Sequence, residues 1–177
     1  IKYIHYINRM ASYINEQILK NNLTIPSREL TNDIDNLVRI KLKEQVEGIC
    51  FEDGYIIPNS VKIIKRRMGQ IKTTNNQSGV QYEIEYKAKI ISPTEGDELE
   101  IYVNNINRMG IVGYIRINAL DSTSDDSPLI VMVPSEYFKD SSYNIEDINV
   151  GQKLTVRVIG ARIKFKSDKI PVIARPL

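Results

Sequence analysis

The chain has 177 residues, 42% of them hydrophobic and 26% charged, with a formal net charge of +2. That is the composition of an ordinary globular protein holding one domain or two small ones. It contains no run of about 18 apolar residues, so no membrane-spanning helix is expected, and its one cysteine and one histidine, Cys50 and His5, are too few for an internal disulfide or a Cys/His zinc site.

The lone cysteine fits a reducing, intracellular compartment. No charged-then-apolar signal segment opens the chain, and its start at Ile1 rather than Met reads as a trimmed end. Charge is unevenly spread. Residues 1–90 carry 14 Lys/Arg against 10 Asp/Glu, residues 91–150 carry 3 against 11, and residues 151–177 carry 7 against 1. The last two stretches predict an acidic face and a basic face in one domain. A basic strip is the usual footprint of a nucleic-acid partner, although a solvated pair of charged strands would produce the same counts.

In chain order, Ile4, Ile7, Ala11, Ile14 and Ile18 recur at helical spacing. Met10 to Leu19 also suits a strand, ending at an Asn21-Asn22 turn. After Pro26, Thr31 or Asn32 can cap a helix whose apolar face is Leu30, Ile34, Leu37, Val38 and Leu42, with Asp35 and Arg39 paired on its outer side. This helix should end near Lys43 to Gln45. Val46 to Phe51 and Tyr55 to Ile64 read as strands, with Pro58 marking an edge or an interruption. Lys65 to Gly69 is a short basic run, and Lys72 to Gly79 reads as an exposed loop. Tyr82 to Ile90 alternates with period two, so one face is wet.

Beyond Pro93, Leu99, Ile101 and Val103 alternate with Glu98, Glu100 and Tyr102, and Asn107 to Gly110 reads as a turn. Ile111 to Ile117 and Leu129 to Val133 are strands on either side of a mobile polar loop, Asp121 to Ser127. Lys153 to Ile159 and Ala161 to Lys166 alternate basic and apolar residues. Ser167 to Lys169 should turn the chain into a last strand, Ile170 to Ala174. Five short strands with glycine at the corners describe a small closed barrel.

Two ordered motifs resemble a known family. The first is Leu42, Val46-Glu47-Gly48, Cys50 and Gly54-Tyr55 after a capped helix. The second is Val80, Tyr82, Tyr86-Lys87-Ala88 and Ile90, followed by Pro93, Glu95-Gly96, Asn107-Arg108 and Gly110. In order and spacing they are similar to the seventh subunit of eukaryotic RNA polymerase II and to its counterpart in the archaeal RNA polymerase, from about Met10 to Pro176. The Ile- and Asn-rich composition looks more like a large DNA virus's version, found in the virion and host cytoplasm, than a nuclear one. The resemblance implies an α+β chain. Residues 1–91 would form a truncated RNP-like tip domain, a helix on a small antiparallel sheet, and residues 92–177 an OB-type RNA-binding barrel. It also favours a strand over Met10 to Leu19.

The family's tip docks on the large polymerase subunits at the base of the clamp and biases the clamp toward closure. The matching residues here are Gly48, Glu52, Asp53, Gly54, Tyr55, Arg66, Arg67, Met68 and Gly69. The family domain usually also binds a small helical fourth subunit. Its barrel faces emerging transcript, and single-strand contact needs cations for phosphates and rings for bases. The matching supply is Arg108, Lys153, Arg157, Arg162, Lys164 and Lys166, with Tyr137 as a platform beside Tyr102, Tyr114 and Phe138. Ile111 and Val112 stand where such barrels often carry an aromatic. RNA contact should therefore be weak, salt-sensitive and sequence-tolerant.

Catalytic alternatives lack support. Glu98 and Glu100 alternate along one strand, whereas catalytic metal sites need carboxylates converging from several elements. Gly110 to Gly113 lacks the strand-to-helix setting of a phosphate loop. A nuclease is the enzymatic rival, and a free-standing RNA-binding module of translation or RNA processing is the non-enzymatic one. No cofactor or metal is expected. The reading is a non-catalytic stalk subunit of a multi-subunit RNA polymerase.

Overall fold

The structure is a computed structural model, and it describes residues 13–74, 77–117, 123–139, 141 and 143–177. Two compact units emerge. One holds Glu16–Gly48 and Ile56–Ile90; the other holds Ile49–Tyr55 and Ile91–Leu177, with residues 13–15. The fold class is α+β: an RNP-like helix and antiparallel sheet, and an OB-type closed barrel.

In the first unit, strand β1 (Ile14–Pro26) leads to helix α1 (Ile34–Val46). Asp33 caps the helix, its carboxylate accepting from the Asn36 amide at 3.1 Å. Neither Thr31 nor Asn32 does so, because Asp33 is the residue whose oxygen lies one turn before a free amide. Val38, Leu42 and Val46 recur on one stripe and are fully buried, each contributing about 1.5–3 kcal/mol of apolar transfer. The expected Asp35–Arg39 pair is absent: Arg39 donates to Asn36 at 2.6 Å, and Asp35 accepts from Arg66.

Strand β1 runs through Asn21-Asn22 without turning, because Leu23 and Ile25 are buried and continue its alternation. The part of the predicted strand before residue 13 lies outside the described residues. The remaining strands before residue 92 are β2 (Cys50–Phe51), in the stretch grouped with the other unit, β3 (Gly54–Ile56), β4 (Lys62–Arg66), β5 (Gln70–Thr74) and β6 (Gln77–Ile91). The sheet order is β1-β6-β3-β2, with β4 and β5 also paired to β6. Two sequence expectations change here. Tyr55 to Ile64 is not one strand, because Pro58 and Asn59 at φ 61° break it. Lys72 to Gly79 is no loop: β5 and β6 pair there from Gln70↔Gln81 to Thr74↔Gln77.

Strand β6 is the spine of the unit. Tyr82, Ile84, Tyr86, Ala88 and Ile90 are buried, whereas Glu83, Glu85 and Lys87 lie on the wet face. Its approach to β1 depends on Gly79, where a methyl group would sit 2.8 Å from the Ile25 carbonyl oxygen.

In the second unit, β7 (Glu98–Asn107), β8 (Gly110–Tyr114), β9 (Leu129–Pro134), β10 (Lys153–Ala161) and β11 (Ile170–Pro176) close into a barrel in the order β10-β11-β9-β8-β7. All pairs are antiparallel except β11 with β9, which run parallel from Ile170↔Leu129 to Ile173↔Met132. That one parallel pair completes closure, so the barrel has no free edge. Alternate residues fill the interior: Leu99, Ile101 and Val103 meet Leu154, Val156 and Val158, with Val131 and Val172 between them.

Ala161 to Lys166 is not the expected strand. Strand β10 bulges between Val158 and Gly160, and residues 162–169 form a loop that turns at Phe165-Lys166. Thr123 to Ser127 is anchored at its end, since Ser127 is buried and accepts from the Ile115 and Leu129 amides at 3.2 Å each. Residues 121 and 122 of that expected loop lie outside the described residues.

Gly110 opens β8 at φ 140°, with a would-be Cβ driven into the Val133 carbonyl. Gly110→Ala should therefore destabilise the protein by about 2–4 kcal/mol. Thermal denaturation should show a midpoint lower by about 5–15 °C. Gly160→Ala, which meets open space without a positive φ, should leave the midpoint nearly unchanged.

Candidate docking and nucleic-acid interfaces

The residues of the Gly48–Tyr55 stretch part company in the structure. Strands β2 and β3 pair as Cys50↔Tyr55 and Phe51↔Gly54. Gly54 and Tyr55 are buried, and Gly48 is half-buried at φ 77°, its amide donating to the Ile56 carbonyl at 2.9 Å. Only Glu52 and Asp53, at the hairpin turn, are exposed. Cys50 is bracketed by two backbone bonds: its amide donates to the Ser167 carbonyl at 2.7 Å, and the Lys166 amide donates to its carbonyl at 2.8 Å. Phe51 and Phe165 meet edge to face at 5.7 Å. This hairpin thus forms a two-bond bridge with the 162–169 loop.

Of the basic run, Arg66 is a structural residue. Its Nε and Nη2 donate to Asp35 Oδ1 at 2.9 and 2.8 Å, and its guanidinium lies 5.1 Å from the Tyr82 ring centre. Arg67 pairs with Glu83 at 3.4 Å. Gly69 is packed against Val80 and Tyr82. Beside the exposed Lys65, two apolar side chains stand out: Met68 is 90% exposed and Ile71 82%. Ile71 was missed because it lies alone between the basic run ending at Gly69 and the polar stretch that starts at Lys72.

Part of the acidic stretch and part of the basic stretch meet in the barrel. Strands β7 and β10 pair antiparallel, placing Thr155 opposite Glu100 and Arg157 opposite Glu98. Lys153 meets Glu100 at 2.6 Å and Arg157 meets Glu98 at 2.9 Å. Two charges of each stretch therefore pair across this ladder. Both pairs are partly exposed, so each contributes at most about 1 kcal/mol.

Arg108 is exposed on the β7–β8 turn. Arg162 and Lys164 are exposed in the 162–169 loop and have no ion-pair partner among the described residues. Lys166 adopts φ 62° and lies 5.6 Å from the Phe165 ring. They share a loop rather than one face of a strand.

Aromatic surfaces are mostly occupied. Tyr102 and Tyr114 lie 5.9 Å apart, and Arg116 covers Tyr102 at 4.0 Å. Phe138 is buried. Tyr137, in the 3₁₀ turn Ser135–Phe138, is half-buried and lines a cleft of about 360 Å³ with Glu95, Gly96, Arg157, Val158, Ile159 and Arg175. Arg175 was missed because it stands alone among apolar residues near the end of the sequence; only the β10–β11 register brings it beside Arg157.

Among the described residues, no group of three or more His, Cys, Asp or Glu is placed to hold a metal, and no helix is long and apolar enough to cross a membrane.

The fold class is thus a helix-backed RNP-like sheet together with an OB-type barrel. No family model matches the chain. Among curated proteins it is similar to the DNA-directed RNA polymerase II subunit rpb7 of Schizosaccharomyces pombe, with 25% identity over 135 residues, 73% of this chain and 76% of that protein. This similarity over most of both chains supports the Rpb7-like family for this protein.

Burial pushes the Cys50 thiol up to about 11, with the Asp168 carboxylate adding to the shift, and pushes the Tyr86 phenol up to about 12. Both groups are favoured in their neutral forms by folding. Their folded values exceed the unfolded ones, so the stability they contribute is complete below the ordinary thiol range and lost as pH rises through the folded values. Urea denaturation of wild type and Cys50→Ala should give a stability gap that is constant up to about pH 8 and narrows by about pH 10.5. A gap that stays constant or widens would contradict the burial argument.

Proposed function

We propose that this chain is a non-catalytic stalk subunit of a multi-subunit DNA-dependent RNA polymerase. The observation that carries the reading is the 25% identity to a named RNA polymerase II subunit, spread over 73% of a chain with this two-part fold. In this reading residues 1–91 form the tip domain, which docks on the large polymerase subunits near the clamp. Residues 92–177 form the barrel, which contacts emerging RNA. A small helical partner would accompany it, and its setting is intracellular and reducing, in keeping with a single buried thiol.

The exposed side chains favour a particular docking surface. Met68 and Ile71 present apolar area that no described residue covers, with Lys65 and Lys72 close by in sequence. Exposed apolar area of this kind marks contact sites. Arg66 serves Asp35 and Tyr82 instead, and Gly54 and Tyr55 lie inside. Among the docking residues taken from the family, Met68 is therefore the principal anchor, and Ile71 joins it.

RNA contact on the barrel draws on Arg108, Arg162, Lys164 and Lys166, which are exposed, more than on Lys153 and Arg157, which are ion-paired. That supply supports weak, salt-dependent binding.

The test is affinity capture of tagged protein from its native source, comparing wild type with Met68→Asp/Ile71→Asp. The exposed positions should leave folding within about 0.5 kcal/mol of wild type. Recovery of the large polymerase chains should fall at least about tenfold, the loss of two interface anchors. Undiminished recovery would remove this docking surface. Capture of ribosomal proteins or RNA without large chains would favour a free-standing RNA-binding module.

A further inference from the structure

The cleft beside Tyr137 holds an arrangement that folding alone does not explain. Strand register sets Arg157 directly opposite Arg175 on the outer face of β10 and β11. Like charges facing each other across a ladder are destabilising. Glu98 offsets Arg157 at 2.9 Å. Arg175, by contrast, has no hydrogen-bond or ion-pair partner among the described residues. The register thus leaves one guanidinium unanswered at the edge of a concave site.

The opposite rim is rigid. Gly96 donates to the Val158 carbonyl at 2.9 Å, and Val158 donates to the Asp97 carbonyl at 2.8 Å. Asp97 Oδ2 accepts from the Thr94 amide and hydroxyl at 2.8 and 2.9 Å. These bonds fix the loop that carries Glu95 to the edge of β10. The cleft therefore presents an unpaired guanidinium, a half-buried phenol ring and a carboxylate on a fixed frame. Its volume of about 360 Å³ lies within the usual range for small-ligand sites.

We propose that this cleft binds one nucleotide of single-stranded RNA, with the phosphate on Arg175, the base on the Tyr137 ring and a ribose hydroxyl donating to Glu95. The proposal rests on the RNA-contact reading above and adds to its exposed cations a nucleotide site at Arg175 and Tyr137. The mixture of charges decides the ligand class. Glu95 and Glu98 stand beside the two arginines, so a purely acidic peptide meets repulsion where a ribose meets an acceptor. A carboxylate that takes a 2′-hydroxyl also separates RNA from DNA, which is the chemistry by which proteins distinguish the two. Tyr137 supplies stacking that is tolerant of base identity.

The experiment is fluorescence anisotropy of labelled oligouridylate and of oligodeoxyuridylate of equal length, titrated with the full chain at low salt. Wild type should prefer RNA. Arg175→Ala should weaken RNA binding about five- to tenfold and make the salt slope shallower by about 0.7, the value of one phosphate on a single strand. Tyr137→Ala should cost about tenfold, while Tyr137→Phe, which keeps the ring, should bind as wild type. Glu95→Gln should narrow the gap between RNA and DNA. Circular dichroism and melting serve to establish that each variant folds.

RNA bound with wild-type affinity by Arg175→Ala and Tyr137→Ala would overturn the cleft while leaving RNA contact elsewhere on the barrel intact. Equal affinity of wild type for RNA and DNA would overturn the role of Glu95 and with it the proposal. Absence of RNA binding at low salt would remove both the cleft and the RNA-contact reading. Displacement of RNA by oligoglutamate, with Arg175-dependent binding of that peptide, would reassign the cleft to acidic protein.

Discussion

The seam between β7 and β10 governs the barrel. Leu154 faces Ile101 and Val156 faces Leu99 across this seam, all four fully buried or nearly so. The same register sets Thr155 against Glu100 and Arg157 against Glu98 on the outside. One pairing therefore packs the core and sets two ion pairs on the outside. Because strand side chains alternate with period two, the apolar and ionic pairings cannot be separated: a slip of one residue would bury glutamates and expose the core. The β9–β11 parallel pair then closes the remaining gap.

The consequences reach the surface proposed for RNA contact. Once Lys153 and Arg157 are engaged by glutamates, the cations proposed for a polyanion are those in turns and at strand ends: Arg108, Arg162, Lys164, Lys166 and Arg175. A surface of scattered, single cations beside carboxylates suits brief contact with a passing strand more than tight capture. The same reasoning applies in the helix-backed unit, where Arg66 is tied to Asp35 and Tyr82 and the exposed Met68 and Ile71 stand free.

Local chemistry was legible in the sequence wherever period and burial agreed. The helical stripe of Val38 and Leu42, the alternation from Tyr82 to Ile90 and the five barrel strands are each visible as patterns of apolar residues, and the order of motifs along the chain points to the family. Long-range register was not legible. The charge counts of residues 91–150 and 151–177 suggested two faces, and only the β7–β10 pairing shows that they meet. Arg162, Lys164 and Lys166 alternate as a strand would, yet the bulge after Val158 ends the ladder and the residues turn in a loop. Lys72 to Gly79 lacks apolar residues because its hairpin is exposed, so composition alone could not separate strand from loop. The candidate sites follow this division. Arg108 and Met68 sit in turns, where local sequence decides exposure, whereas the burial of Tyr55 and the juxtaposition of Arg157 and Arg175 depend on distant strands.

The assignment to a polymerase stalk is tested most directly by mass spectrometry of what co-purifies with the untagged protein from its native source at moderate salt. The account predicts two very large chains with polymerase sequence signatures, present in amounts equal to this protein. Recovery of the protein without those chains, whether alone, with ribosomal proteins or with RNA only, would contradict it.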